Sequence, residues 1–329
     1  MATPVAVVGL GVRGRQWARA VEAHPALRLA ACVEVDERAR LAVQGELALR
    51  TDQLHADIES ALARDDVQAV VVATPPRHHE SACRTALERG VPVLVEKPFT
   101  LDLATAIDLV ELAEARGTPL LVAQSYRYLR AHRAARAIVR SGRLGTIRQI
   151  TSRHYRSEPD PDIGVDNPTL WDLGVHHLDA LRDLLGEDPT AVFASGFDDG
   201  SSVQALLEFG GGVRASYSAT RRSSGHEFFE GGKEHYLRVV GERGTLHVLQ
   251  RWLVLCESGR LPRPVRRGRR RQTEEASLLD ELAAAIRGVA GAGPTGRDNI
   301  GTMAMLDACV RSMADGAWVA PLGAGDVRV

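Results

Sequence analysis

Cysteine is scarce in this chain. The four residues (Cys32, Cys83, Cys256 and Cys309) stand far apart in 329. Such spacing excludes a disulfide framework and the close cysteine pairs of a zinc motif, and it suits a reducing, cytoplasmic compartment. An excess of charge of one sign is also missing. The formal net charge is −1, so the total charge points to neither nucleic acid nor an acidic membrane surface. No apolar run approaches the roughly 18 residues that a membrane-spanning helix requires. The opening MATPVAVVGLGVRG lacks the basic start, long apolar stretch and cleavage site of a signal peptide. No repeat recurs at solenoid or propeller spacing. These absences predict a protein that meets a small-molecule substrate in solution, with neither nucleic acid nor membrane as partner.

What is present is ordinary globular composition, 44% hydrophobic and 25% charged, in a chain long enough for two domains. Short apolar runs at 4–8, 27–35, 68–73, 91–95 and 119–123 alternate with helix-like segments at 16–23, 60–65, 79–89 and 104–116. Strand alternating with helix over about 120 residues predicts βαβ units and a doubly wound parallel sheet. Beyond residue 123 the texture changes. A helix is expected at 131–141, then strands at 147–155, 191–195, 203–209, 213–220, 236–240, 245–249 and 252–256. Helices are expected at 171–185, 274–288 and 299–315. Strands joined by glycine-rich turns predict an α+β domain with a mostly antiparallel sheet. The expected division is 1–122 for a Rossmann domain and 123–329 for a substrate-binding and oligomerisation domain.

The first strand ends in Gly9-Leu-Gly11-Val12-Arg13-Gly14. Glycines at this spacing permit a tight turn, close approach of backbone to pyrophosphate, and close packing of helix on strand. The free N–H groups and positive dipole end of the following helix face the phosphates. Glu34 lies twenty residues beyond Gly14. A carboxylate there hydrogen-bonds ribose hydroxyls and repels a 2′-phosphate, favouring NAD(H) over NADP(H). Asp36 is the alternative carboxylate, and Arg13 or Arg38 would be the residues to steer a 2′-phosphate.

Glu96-Lys97-Pro98 and the D-x-G-x-H pattern at 172–176 are the most specific motifs. With GLGVRG at 9–14, ATPPRHHE at 73–80, SYRY at 125–128, SGRLGTI at 141–147 and GERGTL at 241–246, the chain resembles the Gfo/Idh/MocA oxidoreductases. These include glucose–fructose oxidoreductase and inositol dehydrogenase, and the matching segments extend over nearly the whole length. The resemblance implies a Rossmann domain, a second domain with an open sheet, NAD(P) as cofactor, and sugars, cyclitols or related compounds as substrates. It also implies a homodimer or homotetramer formed through the open sheet. By position it places Thr74 and Pro75 at the nicotinamide ribose, with His79 nearby and Glu96 and Lys97 at the cofactor. It also matches Lys97, Asp172 and His176 to the family's catalytic group. Relatives often carry a glycine cluster before the Asp172 position, where this chain reads Asp166-Asn-Pro-Thr-Leu-Trp171.

These residues suit alcohol oxidation and its reverse. Histidine titrates near neutrality and can serve as base or acid. Lysine can stabilise developing alkoxide charge, and Pro98 fixes the chain after it through its locked φ. On a helix, Asp172 and His176 would share one face. Tyr126, Arg127, Arg153, Tyr155 and Trp171 are candidates to line the substrate pocket, with Arg127 equally suited to a structural role. No metal site is expected, because the pairs 78–79 and 176–177 point adjacent imidazoles about 100° apart on a helix. The seven arginines between 260 and 271 read as a solvated loop. The leading reading is an NAD(H)-dependent oxidoreductase. The alternatives are an imine or enone reductase, a catalytically silent NAD-binding regulator, and a lyase or glycosidase that uses NAD transiently.

Overall fold

The computed structural model describes residues 2–223, 234–249, 252–265, 272–289, 293–323 and 325. The chain forms two compact units, residues 1–125 with 272–300, and residues 126–271 with 301–329.

In the first unit the elements run β1 (Thr3–Val8), α1 (Val12–Glu22), β2 (Leu27–Val33), α2 (Glu37–Leu47), β3 (Leu54–His55), α3 (Ile58–Leu62), β4 (Ala69–Val72), α4 (His79–Glu88), β5 (Val93–Val95), α5 (Leu103–Ala115) and β6 (Leu120–Val122). The sheet is parallel throughout, in the order β3-β2-β1-β4-β5-β6. This is the doubly wound arrangement, with helices on both faces. Strands covered on both sides have no polar face, and so β4 reads AVVV with all four residues buried. α2, α3 and α5 each start under an aspartate, Asp36, Asp57 or Asp102, whose carboxylate accepts a first-turn N–H.

In the second unit α6 (Arg130–Arg140) precedes β7 (Ile147–Tyr155), and a π-helical turn, Leu170–Gly174, leads into α7 (Val175–Leu185). Then follow β8 (Ala191–Phe197), β9 (Ser202–Glu208), β10 (Arg214–Thr220), β11 (Glu234–Gly241), β12 (Gly244–Leu249), β13 (Trp252–Glu257) and β14 (Arg263–Pro264). After these come α8 (Glu274–Ile286), which belongs to the first unit, and α9 (Gly296–Asp315), most of which belongs to the second. The eight-stranded sheet has the order β14-β13-β12-β11-β7-β10-β9-β8. Among its described residues, only the β7–β10 pair is parallel. One face is core, with Ile150, Val203, Leu207, Val239, Leu246 and Leu255 buried. The strands alternate, so their other residues stand on the opposite face, where Leu206 is 48% and Trp252 68% exposed.

The structure differs from the sequence reading in four places. α1 starts at Val12, four residues before the expected start at 16; with Val12 exposed and Gly14 interrupting the apolar period, the recognisable stripe begins only at Trp17. α2 went unread, because it buries a single residue, Val43, and so carries no helical period. The helix expected over 171–185 opens as a π turn. Helix α8, expected in the second domain, packs with the first unit: Asp280 meets His24, Glu275 meets Arg13, and the Val122 N–H bonds the Pro294 carbonyl nearby. Most of the arginine-rich segment, residues 266–271, lies outside the described residues.

Candidate functional site

The glycine loop is dictated by contact distances. A side chain on Gly9, whose φ is +86°, would place its Cβ 2.8 Å from the Thr74 backbone nitrogen, and one on Gly14 would lie 1.7 Å from the Gly9 carbonyl. At Gly11 a Cβ would meet nothing within 4 Å. The outer glycines are therefore demanded by packing, while the middle one leaves open space over the start of α1. That helix has no side-chain cap, unlike α2, α3 and α5, and no acidic residue in its first turn. Its N–H groups and dipole suit a pyrophosphate. Glu34 follows β2 directly, and its carboxylate accepts the Leu10 N–H at 3.0 Å and the Asp36 N–H at 3.2 Å. Asp36 caps α2 through the Ala39 N–H at 2.7 Å. Of the two carboxylates left open by the sequence, Glu34 is the one at the glycine loop. These residues fit a dinucleotide.

Val72, Val95 and Val122 are aligned partners across β4, β5 and β6. Thr74, Lys97 and Gln124 each lie two residues further on. They therefore leave the sheet side by side at its carboxyl end, where open α/β sheets bind ligands. The Thr74 hydroxyl and both amide atoms of Gln124 are buried without a hydrogen-bond partner. His79 is buried beneath this edge, with Nε2 2.9 Å from the Thr74 carbonyl and Nδ1 2.9 Å from the Pro98 carbonyl. Burial pushes its pKa down, against the pull of these carbonyls. It fastens one loop to the other.

Glu96 and Arg13, both expected at the cofactor, are also bound to the protein's own groups. The buried Glu96 carboxylate accepts the Trp17 indole N–H and the Arg13 Nε–H, each at 2.8 Å, and the Lys97 backbone N–H at 3.2 Å. Arg13 also pairs with Glu275 at 3.1 Å. Together they tie the start of α1 to the Lys97 loop and to α8.

In the second unit, Asp172 sits in the π turn. Its carboxylate accepts from Arg156 at 3.1 Å and from Arg221. Arg221 is buried and also pairs with Glu158, as Arg156 does at 2.6 Å. Neither arginine was legible in the sequence as a site residue. Arg221 is 49 positions from Asp172, and no local motif links a strand end to a turn so distant. The α-helical spacing of Asp172 and His176 runs across a π turn, in which each turn takes an extra residue. His176 lies flat on Tyr126, with ring centroids 4.3 Å apart and planes 10° from parallel. His177, His154 and His235 pack behind, with centroids 4.8–5.8 Å apart. Burial, with the surrounding imidazoles, holds His177 well below its ordinary pKa. Burial brings His235 to about 4 and raises the Tyr126 phenol.

The remaining pocket candidates separate. Arg127 forms a buried two-pronged pair with Asp179, at 2.7 and 2.6 Å, joined by the Thr302 hydroxyl. Trp171 is buried in the π turn. Tyr155 is half-buried on β7, with its hydroxyl 3.1 Å from Ser218 Oγ. Arg153 lies over the ring of Tyr236 at 4.6 Å. Among the described residues, no three His, Cys, Asp or Glu side chains are arranged to hold a metal, and no helix is long and apolar enough to cross a membrane.

Comparison with known proteins shows the family and the fold. The family described as "Oxidoreductase family, NAD-binding Rossmann fold" matches residues 3–124, and "GFO/IDH/MocA C-terminal domain" matches residues 132–247. An inositol 2-dehydrogenase of Arthrobacter sp. (strain FB24) is 31% identical over 341 residues, covering 96% of this chain and 95% of that protein. One from Rhizobium meliloti (strain 1021) is 27% identical over 94% of this chain and 96% of its own length. In fold, the chain is similar to an inositol dehydrogenase homologue from Azotobacter vinelandii, solved with NADH and myo-inositol. The TM-score is 0.86 at 21% identity, over 97% of this chain and 98% of that one.

Proposed function

The chain belongs to the Gfo/Idh/MocA family of NAD-dependent dehydrogenases, and from that premise we propose that it moves hydride between nicotinamide and a secondary alcohol or ketone of a sugar, cyclitol or related polar compound. The observation that carries this reading is the pairing of Asp172 with Arg156 and Arg221, four residues before an imidazole that faces an aromatic ring. A carboxylate held by two cations is fixed in place and can accept hydrogen bonds from substrate hydroxyls.

The bound nicotinamide supplies the hydride acceptor or donor. His176 takes the hydroxyl proton in oxidation and returns it in reduction. Lys97 stabilises the negative charge on the reacting oxygen and serves as a proton relay. Asp172 orients the substrate hydroxyl. The glycine loop and the start of α1 hold the pyrophosphate, and Glu34 takes the ribose hydroxyls. Thr74 and Pro75 lie at the nicotinamide ribose.

A panel of sugars, cyclitols and their keto forms, followed by nicotinamide absorbance, tests the activity. With a substrate in hand, Lys97→Ala and His176→Ala each lower turnover by about two to four orders of magnitude. Each leaves the NADH dissociation constant within a few-fold. Turnover close to the parent in both variants would remove these residues from the reaction.

A further inference from the structure

Four imidazoles and two phenols meet in the second unit, and the proposed reaction uses only one of them. Tyr126, in the 3₁₀ turn Ser125–Tyr128, touches three of the histidines. His176 is stacked on it at 4.3 Å and 10°. His177 meets it edge-on at 5.2 Å and 80°, and His235 lies nearly parallel at 5.8 Å and 26°. His177 is itself packed against Tyr217, with centroids 5.5 Å apart. The His177 Nε2 and the Tyr217 hydroxyl are buried with no hydrogen-bond partner. Ring packing, more than hydrogen bonding, therefore holds this part of the cluster, and Tyr126 is the ring between it and His176.

We infer that Tyr126 is a positioning residue for His176: it sets the plane of the imidazole and offers that ring an aromatic face. This rests on the reading of His176 as acid and base. The two effects have separate physical grounds. A parallel stack confines rotation about the Cβ–ring bond of His176, a torsion that is otherwise broad. The negative face of an aromatic ring also favours the imidazolium over the neutral imidazole. The charged and titratable groups around the cluster are Arg156, Asp172 and Glu158, which act on Tyr126, and His154, His235, His176 and Arg156, which act on His177. Tyr126, Asp172, Arg156 and Cys309 act on Tyr217, and His132 acts on His235. His177 and His235 stay neutral near pH 7, so neither competes with His176 for the proton there. The phenol hydroxyl has no part in this role, which the ring alone performs.

The test uses full-length protein labelled with ¹⁵N-histidine, with the His176 signals assigned through His176→Asn. In the parent, stacking on Tyr126 shifts the His176 ring C–H protons upfield; ordinary ring shifts would overturn the proposal without any variant. The His176 titration midpoint in Tyr126→Phe stays within about 0.2 unit of the parent. In Tyr126→Met it falls by roughly half a unit to one unit, the scale of a lost cation–π contact. An unchanged midpoint in folded Tyr126→Met would also overturn it. With a substrate from the panel, Tyr126→Phe keeps turnover within about two-fold. Tyr126→Met lowers kcat by roughly ten- to a hundred-fold, the scale of a misplaced reacting group, with KM little changed, and has no further effect in the His176→Asn background. A change confined to KM, or one that persists in that background, would make Tyr126 a substrate contact instead. If His176→Asn itself turns over normally, the acid–base reading fails, while the ring shifts and midpoints still decide whether the stack exists.

Discussion

Arg221, buried just beyond the end of β10, donates to the Asp172 carboxylate in the turn before α7. The same guanidinium reaches Glu158 and the Pro159 carbonyl. One cation thus holds the strand end, the 158–160 segment and the proposed hydroxyl-orienting carboxylate in a single network. Replacing Arg221 by glutamine leaves two carboxylates short of a partner in a half-buried site. Arg156 still pairs with both carboxylates, so the loss is about 1–3 kcal/mol, the scale of hydrogen bonds to charged groups; urea denaturation gives the value, and a loss below about 0.5 kcal/mol would show that Arg156 alone suffices. Arg221→Lys restores charge without the two-pronged geometry, and recovers stability in part.

Cofactor choice follows from Glu34. If the carboxylate that accepts the Leu10 N–H takes the ribose hydroxyls as proposed, it repels a 2′-phosphate, and NADH is expected to bind more tightly than NADPH. Glu34→Ser narrows the gap by removing the repulsion. Fluorescence titration with both cofactors measures it, and tighter NADPH binding by the parent would refute the assignment.

Acid sensitivity comes from two sources of opposite kind. Burial alone would raise the Asp183 carboxyl, but the hydrogen bonds and charges of His132 and Arg136, each at 2.7 Å, outweigh it and bring it from 3.8 to about 2. A carboxyl lowered on folding contributes its full stability above the unfolded value, and the contribution disappears as pH falls from about 4 to 2. A shift of this size corresponds to about 2 kcal/mol. His235, held at about 4 against an ordinary 6.5, acts earlier. The unfolded chain binds the proton first, so stability declines as pH falls from about 6.5 to 4. Tm should therefore drop in two stages; His235→Asn should reduce the first, to which the buried His177 and His79 also contribute, and Asp183→Asn should reduce the second. A single drop below pH 4 would remove the histidine contribution.

Association through the open sheet is expected from its exposed apolar residues. Trp252 and Leu206 lie on the face opposite the core. Apolar groups exposed on a sheet face favour burial against a second copy, usually by two-fold symmetry. We propose a dimer or tetramer at micromolar concentration, measured by light scattering, with Trp252→Asp shifting the mass toward monomer. A parent that stays monomeric at high concentration would exclude this surface.

Much of this was legible in the sequence because its causes are local. The valine-rich runs of β1, β4 and β5 are buried on both faces and so advertise parallel strands. Gly9 and Gly14 are required by backbone approach within one strand–turn–helix, and Lys97 by its place just after β5. Composition and motif thus sufficed for the Rossmann domain, the family and NAD as cofactor. Other features depended on residues distant in the chain. That Glu96 receives Trp17 and Arg13, that Arg127 pairs with Asp179, and that α8 returns to the first unit are contacts across 79, 52 and about 260 positions. The ring stack of Tyr126 on His176 and the hold of Arg221 on Asp172 arise only when separate strands and turns close around a common core. A hydrogen bond or a ring contact leaves no periodicity in sequence. It is set by the packing that brings its two ends within a few ångströms, and only the tertiary structure decided that.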